Sequence, residues 1–292
     1  MTLVSICIPT CNRARYIGET IQSVLNSTYT NLEIVVSDNA STDNTQEIVE
    51  RFGDERIRYY RNSQNLGPLR NWNCAVQKAQ GELVGLLFSD DLIGPFWIGL
   101  AVHALHKHPH AGWAASAFRL IDETGKAFWS ISRFPQTRVY TCAEAFPFMA
   151  RLDGLGPTYI ARRELLEEAG FYDEEAGLFA DHDLFLRLAA KSPLYYSTNS
   201  HHAAYRRHKD EQLVNGWTMA QQMSEGLRML RKVFRDETLA GELQQYARPA
   251  FLHYYKVVVK NIMRYLEQDD LETARQLIRL LAADSAGTET FP

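Results

Sequence analysis

At 292 residues and 46% hydrophobic content, the chain is long enough for one large domain with an appendage, or for two modest domains, and can bury a proper core. A formal net charge of -4 gives no general attraction to nucleic acid, whose binders carry a basic face, so nucleic acid is set aside as a partner. Met1-Thr2-Leu3-Val4-Ser5 lacks the basic and apolar regions of a signal peptide, and no run of about 18 apolar residues occurs, which points to a cytoplasmic protein with at most peripheral contact at the inner membrane face.

Leu3 to Ile8 reads as a short buried strand, followed by Pro9-Thr10-Cys11-Asn12-Arg13 and a helical pattern with Ile17, Ile21, Val24 and Leu25 on one face. Leu32 to Ser37 repeats the pattern, and Asp38-Asn39-Ala40-Ser41-Thr42-Asp43 is dense in turn and capping residues before a helix with Ile48, Val49 and Phe52. A third strand, Arg56 to Tyr60, leads through Asn65-Leu66-Gly67 into a helix from Pro68 to about Ala79. Leu83 to Phe88 is a fourth apolar strand, and it delivers Ser89-Asp90-Asp91 at its carboxyl end.

Strands alternating with helices at this spacing predict an α/β fold with a mostly parallel sheet and right-handed crossovers, so these loops leave the same edge and Asp38, Asn65 and Asp90 converge. Neither Gly-x-Gly-x-x-Gly nor Gly-x-x-x-x-Gly-Lys-Ser/Thr occurs, so phosphate must be held another way. Side-by-side carboxylates at Asp90-Asp91 suit a divalent cation, with Arg13 or Arg70 as a helping charge. The competing reading is that these residues cap a helix beginning near Ile93.

A helix after Pro95, a strand from Gly112 to Ile121 and a turn at Asp122-Glu123-Thr124-Gly125 follow. Residues 127–153 mix Phe128, Trp129, Phe134, Phe146 and Phe148 with polar residues, either as core or as the lining of an acceptor cleft. Pro157 to Ala161 is a strand and Arg163 to Ala169 a short helix. In Phe179-Ala180-Asp181-His182-Asp183-Leu184, Asp181 lies at a helix amino terminus, where the dipole steadies a carboxylate, or is a plain cap.

Cys7, Cys11, Cys74 and Cys142 show no paired spacing and read as reduced thiols. His103, His106, His108 and His110 read as surface histidines. Residues 1–213 form the predicted main domain and 214–292 a helical region, with helices over Trp217 to Phe234, Leu239 to Leu266 interrupted at Pro249, and Leu271 to Ala282, and a loose tail after Asp284. Leu252, Tyr255, Val258, Val259, Ile262 and Leu266 are contact candidates there, against the main domain or a second copy. Arg228, Arg231, Lys232 and Arg235 cluster on the first of these helices, as a solvated face or toward an anionic membrane.

Residues 3–208 resemble the family 2 glycosyltransferases of GT-A fold. The resemblance rests on Val4 to Arg13, Glu33 to Asp43, Asn65-Leu66-Gly67 with Asn71-Trp72-Asn73, Phe88-Ser89-Asp90-Asp91, Gly170-Phe171-Tyr172-Asp173 and Ala180-Asp181-His182-Asp183. It implies an inverting transfer from a UDP, dTDP or GDP sugar to a glycan or lipid-linked acceptor in bacterial polysaccharide or glycolipid synthesis. It further implies Asp38 on the base beside Pro9 and Thr10, Mg²⁺ or Mn²⁺ on Asp90 or Asp91, His208 completing the donor or metal site, and Asp181 as catalytic base.

Three positions depart from the family pattern. Cys11 replaces a frequent aromatic, Phe88 the first acid of an Asp-x-Asp-Asp motif, and Ala180 the usual Glu before the base. A non-catalytic module of the same fold and a nucleotidyltransferase are the alternatives, the latter opposed by the absence of glycine in Pro9 to Arg13.

Overall fold

The computed structural model describes residues 1–151, 155, 158–208, 218–235 and 241–286. The chain opens with β1 (Val4–Thr10), α1 (Ile17–Leu25), β2 (Leu32–Asp38), α2 (Thr45–Glu50), β3 (Ile57–Arg61), α3 (Pro68–Gln77) and β4 (Leu83–Leu87). Every residue of β1, β2 and β4 is buried, as expected of strands covered on both faces. β1 pairs parallel with β2 on one side and β4 on the other, and β2 pairs parallel with β3. The strand order therefore reverses between β1 and β4, and the loops after these two strands open a crevice at the carboxyl edge where such sheets bind ligands.

Next come β5 (Leu92–Ile93), α4 (Trp97–Lys107), β6 (Trp113–Ser116), β7 (Phe118–Ile121), β8 (Ala127–Ile131), β9 (Arg138–Tyr140) and α5 (Cys142–Met149). β10 (Thr158–Arg162), α6 (Arg163–Ala169), a 3-10 turn at Glu174–Phe179, α7 (Ala180–Lys191), β11 (Leu194–Ser197) and β12 (Ala203–Arg206) complete two sheets. The large sheet has the order β3-β2-β1-β4-β10-β6-β11-β9 and the small one β5-β12-β7-β8.

The amino-terminal half is parallel as expected. Beyond it the sheet is mixed, because β10 runs antiparallel to both β4 and β6. The expected strand from Gly112 to Ile121 divides at Ala117: β6 follows β11 in the large sheet, while β7 follows β12 into the small one. Leu92 and Ile93 pair with β12, so the helix expected near Ile93 begins only at Trp97, with Phe96 as its cap.

Among the described residues four helices follow β12: α8 (Met219–Arg235), α9 (Gly241–Gln244), α10 (Ala247–Glu267) and α11 (Leu271–Ala286). The expected boundary at 213/214, the helix start at Trp217, the sequence around Leu239 and the end of the tail lie outside the described residues. α11 runs past Asp284 to Ala286. Pro249 does not interrupt its helix, because it falls in the first turn of α10, where backbone N–H groups have no intrahelical acceptor.

Leu227, Leu230, Phe234, Phe251, Tyr254 and Val258 belong to the same apolar core as Trp72, Tyr159 and Leu184, so these helices are continuous in packing with the α/β body. Val258 and Ile262 are buried there, whereas Leu252, Val259 and Leu266 face outward.

Gly85 is a point of close approach in the central sheet, since a Cβ there would lie 2.6 Å from the carbonyl oxygen of Tyr159 on β10. Gly85→Ala is expected to destabilise by ~1–3 kcal/mol, lowering Tm by several degrees in thermal unfolding followed by circular dichroism. Gly99 on α4 is the control: its nearest neighbour is 3.9 Å away, so Ala leaves Tm unchanged or raises it slightly.

Candidate active site

The β1–α1 and β2–α2 loops clasp each other. The Asn12 N–H donates to Ser41 Oγ at 2.8 Å, the Thr42 N–H to Asn12 Oδ1 at 2.7 Å, and the Asn39 N–H to the Thr10 carbonyl at 2.9 Å. Asn12 and Ala40 both sit at positive φ, 54° and 59°, a costly conformation that this clasp holds in place. Asn39 Nδ2 donates to Asn65 Oδ1 at 2.8 Å and to the Gly67 carbonyl at 3.1 Å, which ties the start of α3 to the same edge.

Asn65 is exposed, and Pro9 and Thr10 are buried beneath the clasp. Thr10 Oγ1 is buried with no hydrogen-bond partner among the described residues.

Asp38 lies deeper than expected for a group meeting a base. It is fully buried, one oxygen accepting the Ser41 N–H at 2.8 Å and the other the Tyr59 hydroxyl. Burial and then Asp38 itself push the Tyr59 phenol upward, so Tyr59 stays a donor. Asp38 holds the loop in this structure; it does not line the crevice.

Asp90 and Asp91 part company. Asp90 Oδ2 accepts from Arg13 Nε at 3.2 Å and lies 3.0 Å from His208 Nε2, and the His208 ring packs on Tyr16 at 4.9 Å. Asp91 is turned inward, its Oδ1 accepting the Arg206 N–H at 2.8 Å. Arg206 is itself buried. It donates to the carbonyls of Asp90 at 2.8 Å and Glu123 at 3.2 Å, pairs with Glu19 at 2.6 Å, and covers the Tyr16 ring. Neither aspartate caps a helix, because β5 follows.

The Asp90–His208 pair suits a hard divalent cation: two ligands of one octahedral ion with bonds of ~2.1 Å stand ~3 Å apart, and such ions take the rest of their shell from phosphate and water. Among the described residues no cluster of three His, Cys, Asp or Glu groups stands ready for a metal.

Arg70 is not part of this cluster; its Nε donates to Glu174 at 2.7 Å, and both side chains are exposed. His103, His106 and His110 are on the surface as expected, whereas His108 is half-buried, its ring lying parallel to that of Tyr195 at 6.3 Å.

Asp181 is the second residue of α7, one past the helix start, with Phe179 in the cap position. Its Oδ1 accepts the His182 N–H at 2.8 Å and lies 2.8 Å from His182 Nδ1; a third of the side chain reaches solvent. Burial pulls the Asp181 pKa up, but the charge and hydrogen bonds of His182 outweigh it and hold the carboxyl below its ordinary value. Ala180, in the place of the family's Glu, is packed into the core.

The segment before Asp181 is braced from two sides. Phe88 packs on Trp72 at 4.9 Å, so the residue that replaces the family's first acid serves packing, and Trp72 meets Tyr172 edge-on at 5.2 Å. From α8, Lys232 pairs with Asp173, and a Cβ on Gly177, at φ 57°, would strike the Glu225 carboxylate. Tyr59, Tyr16 and Arg206 are positions that sequence reasoning missed, and of these Arg206 carried a signal, as a charge beside His208. Trp72 stands in the Asn71-Trp72-Asn73 stretch already singled out, but its packing on Phe88 and Tyr172 was not read there.

The protein-family model described as "Glycosyl transferase family 2" matches residues 5–169. The chain belongs to glycosyl transferase family 2. Three relatives illustrate this family 2 chain's surroundings. It is 44% identical over 96 residues to the abequosyltransferase RfbV of Salmonella typhimurium, 31% of this chain and 29% of that one.

The structure of S. aureus TarS 1-349 in complex with UDP-GlcNAc superposes with a TM-score of 0.76 at 21% identity, covering 96% of this chain and 80% of that one. The Pyrobaculum calidifontis mannosyltransferase PcManGT in complex with GDP-Man and Mn²⁺ gives 0.64 at 18%, covering 99% and 76%. These likenesses show the GT-A fold. The chain spans at most about three fifths of the length of the first curated relatives it matches, 61% in the fullest cases. Asp181 and His208 lie beyond the matched segment.

Proposed function

We propose that this family 2 protein transfers a sugar from a nucleoside-diphosphate sugar to a hydroxyl of a glycan or lipid-linked acceptor, with inversion, in bacterial polysaccharide or glycolipid synthesis. The observation that carries this reading is the juxtaposition of Asp90, His208 and Arg13 in the crevice between β1 and β4. A carboxylate and an imidazole 3.0 Å apart beside a guanidinium form a place for a diphosphate and its counter-ion.

In this reading Asp90 and His208 hold Mg²⁺ or Mn²⁺, as the Mn²⁺ of the Pyrobaculum relative suggests. When bound, the ion offsets charge on the departing diphosphate. Arg13 binds the same phosphates. Asp38, through Ser41, shapes the loop over which the base lies, with Pro9 and Thr10 beneath it and Asn65 at its rim.

Asp181 takes the acceptor proton as the acceptor oxygen bonds to the anomeric carbon and the anomeric carbon–phosphate oxygen bond breaks, its electron pair leaving with the nucleoside diphosphate. A carboxylate of low basicity suffices, because the hydroxyl becomes acidic as its oxygen forms the new bond.

Arg228 and Lys232 already pair with Glu225 and Asp173, which spends part of the basic cluster on the protein itself. Among the described residues no helix is long and apolar enough to cross a membrane. The reading places the reaction in the cytoplasm or at the inner membrane face.

Thermal shift with UDP, GDP, dTDP and CDP sugars, with and without Mn²⁺, tests the donor site. One nucleotide class raises Tm in a Mn²⁺-dependent way, by the equivalent of ~2.7 kcal/mol at a hundredfold excess over Kd. A flat panel overturns the reading and favours a non-catalytic module.

A further inference from the structure

α10 presents an apolar stripe that nothing among the described residues covers. Leu252, Val259, Met263 and Leu266 lie on one edge of this helix and are between 43% and 54% exposed, while Tyr254, Val258 and Ile262 on its other side enter the core. The spacing is that of a helix-pairing seam, and large exposed residues in a continuous row mark an interaction surface.

The charges beside the stripe indicate what covers it. From Ala247 to Leu266 the helix carries Arg248, Lys256, Lys260 and Arg264 and no acid, whereas Glu267 to Asp270 and Glu272 contribute four acids and no base. Lys256, Lys260 and Arg264 follow one another four residues apart, an arrangement of like charges that costs a few tenths of a kcal/mol per pair in an isolated helix. Among the described residues none of Lys256, Lys260 and Glu267 takes part in an ion pair, and all three are exposed. A helix basic along most of its length and acidic at its carboxyl end is complementary to itself when reversed.

We propose that two copies of the chain pair antiparallel through α10, about a twofold axis close to Asn261 and Ile262. That axis sets Val259 against Met263 of the second copy, Tyr255 against Leu266, and Lys256 against Glu267. These three pairings have nearly the same midpoint along the helix, so one placement buries the stripe and sets the Lys256–Glu267 pair of opposite charges on its flank, while Lys260 and Arg264 stay farther from the seam. Twofold symmetry makes every contact occur twice, doubling the effect of each substitution.

Sedimentation equilibrium of the full chain tests this without any ligand. The wild-type protein sediments as a dimer, and Val259→Glu as a monomer with unchanged circular dichroism. Lys256→Glu and Glu267→Lys each raise the dimer dissociation constant about tenfold, and the double variant restores most of the loss, because the pair is rebuilt with reversed sign. A monomer at micromolar concentrations, a dimer indifferent to Val259→Glu, or a double variant no better than the singles overturns the proposal. So does a monomer that binds phosphatidylglycerol vesicles through this face, which would make the occupant a lipid surface.

Discussion

Asp181→Asn is expected to cut the rate of sugar transfer by about 10²–10⁴-fold while leaving donor binding in place. Asn keeps the size of the side chain and its acceptor for the His182 N–H, so α7 starts as before and the local fold is preserved. What it loses is the second oxygen's ability to take a proton.

The decisive comparison uses the donor identified by thermal shift: nucleoside diphosphate release collapses while the donor-induced rise in Tm stays. Retention of more than about a tenth of the rate would remove Asp181 from the role of base. The pH dependence adds a second check. Because the Asp181 pKa is held down, its carboxylate is ionised through the neutral range, so the acid limb falls below the usual carboxylate range of about 4. The same sign applies to stability: the contribution is present above the unfolded pKa and is lost as pH falls through the lower folded one.

Asp90→Ala and Asp91→Ala should separate completely, although the two residues are neighbours. Asp90 touches Arg13 and His208 at the crevice, so its removal abolishes the Mn²⁺-dependent part of the donor shift and most turnover, with little change in the Tm of the free protein. Asp91 accepts the Arg206 N–H inside the protein, and removing it leaves a buried donor without its acceptor, at ~1–3 kcal/mol. Asp91→Ala thus lowers Tm by several degrees but keeps the Mn²⁺-dependent increment. The reverse pattern, an intact Tm with the increment lost in Asp91→Ala, would transfer the cation to Asp91.

The contrast between these neighbours shows why residue types alone were insufficient at the site. Asp90 lies in a turn closed by the Asp91 N–H donating to the Phe88 carbonyl at 3.0 Å, so the two side chains leave the backbone in different directions, but the side that counts as inside depends on β12 arriving far along the chain. Arg70 was a reasonable phosphate partner from its place on α3, and its pairing with Glu174 follows from the position of the 3-10 turn. Asp38 stands at a strand end as its spacing implies, yet the Tyr59 hydroxyl from β3 closes over it.

What the amino-acid order determined by itself is local or periodic: buried runs that become strands, Pro68 opening α3, Asp181 in the first turn of α7, and the succession of β-loop-α units that sends their loops to one edge. These follow from backbone sterics, capping and hydrophobic spacing, which act over a few residues. The tertiary structure decided the division of Gly112 to Ile121 between two sheets, the burial of Arg206 under Asp90, and the bracing of the Asp181 segment by Lys232 and Glu225 of α8. Each joins residues far apart in the chain, where burial and charge pairing depend on which surfaces meet, and no short-range pattern carries that information.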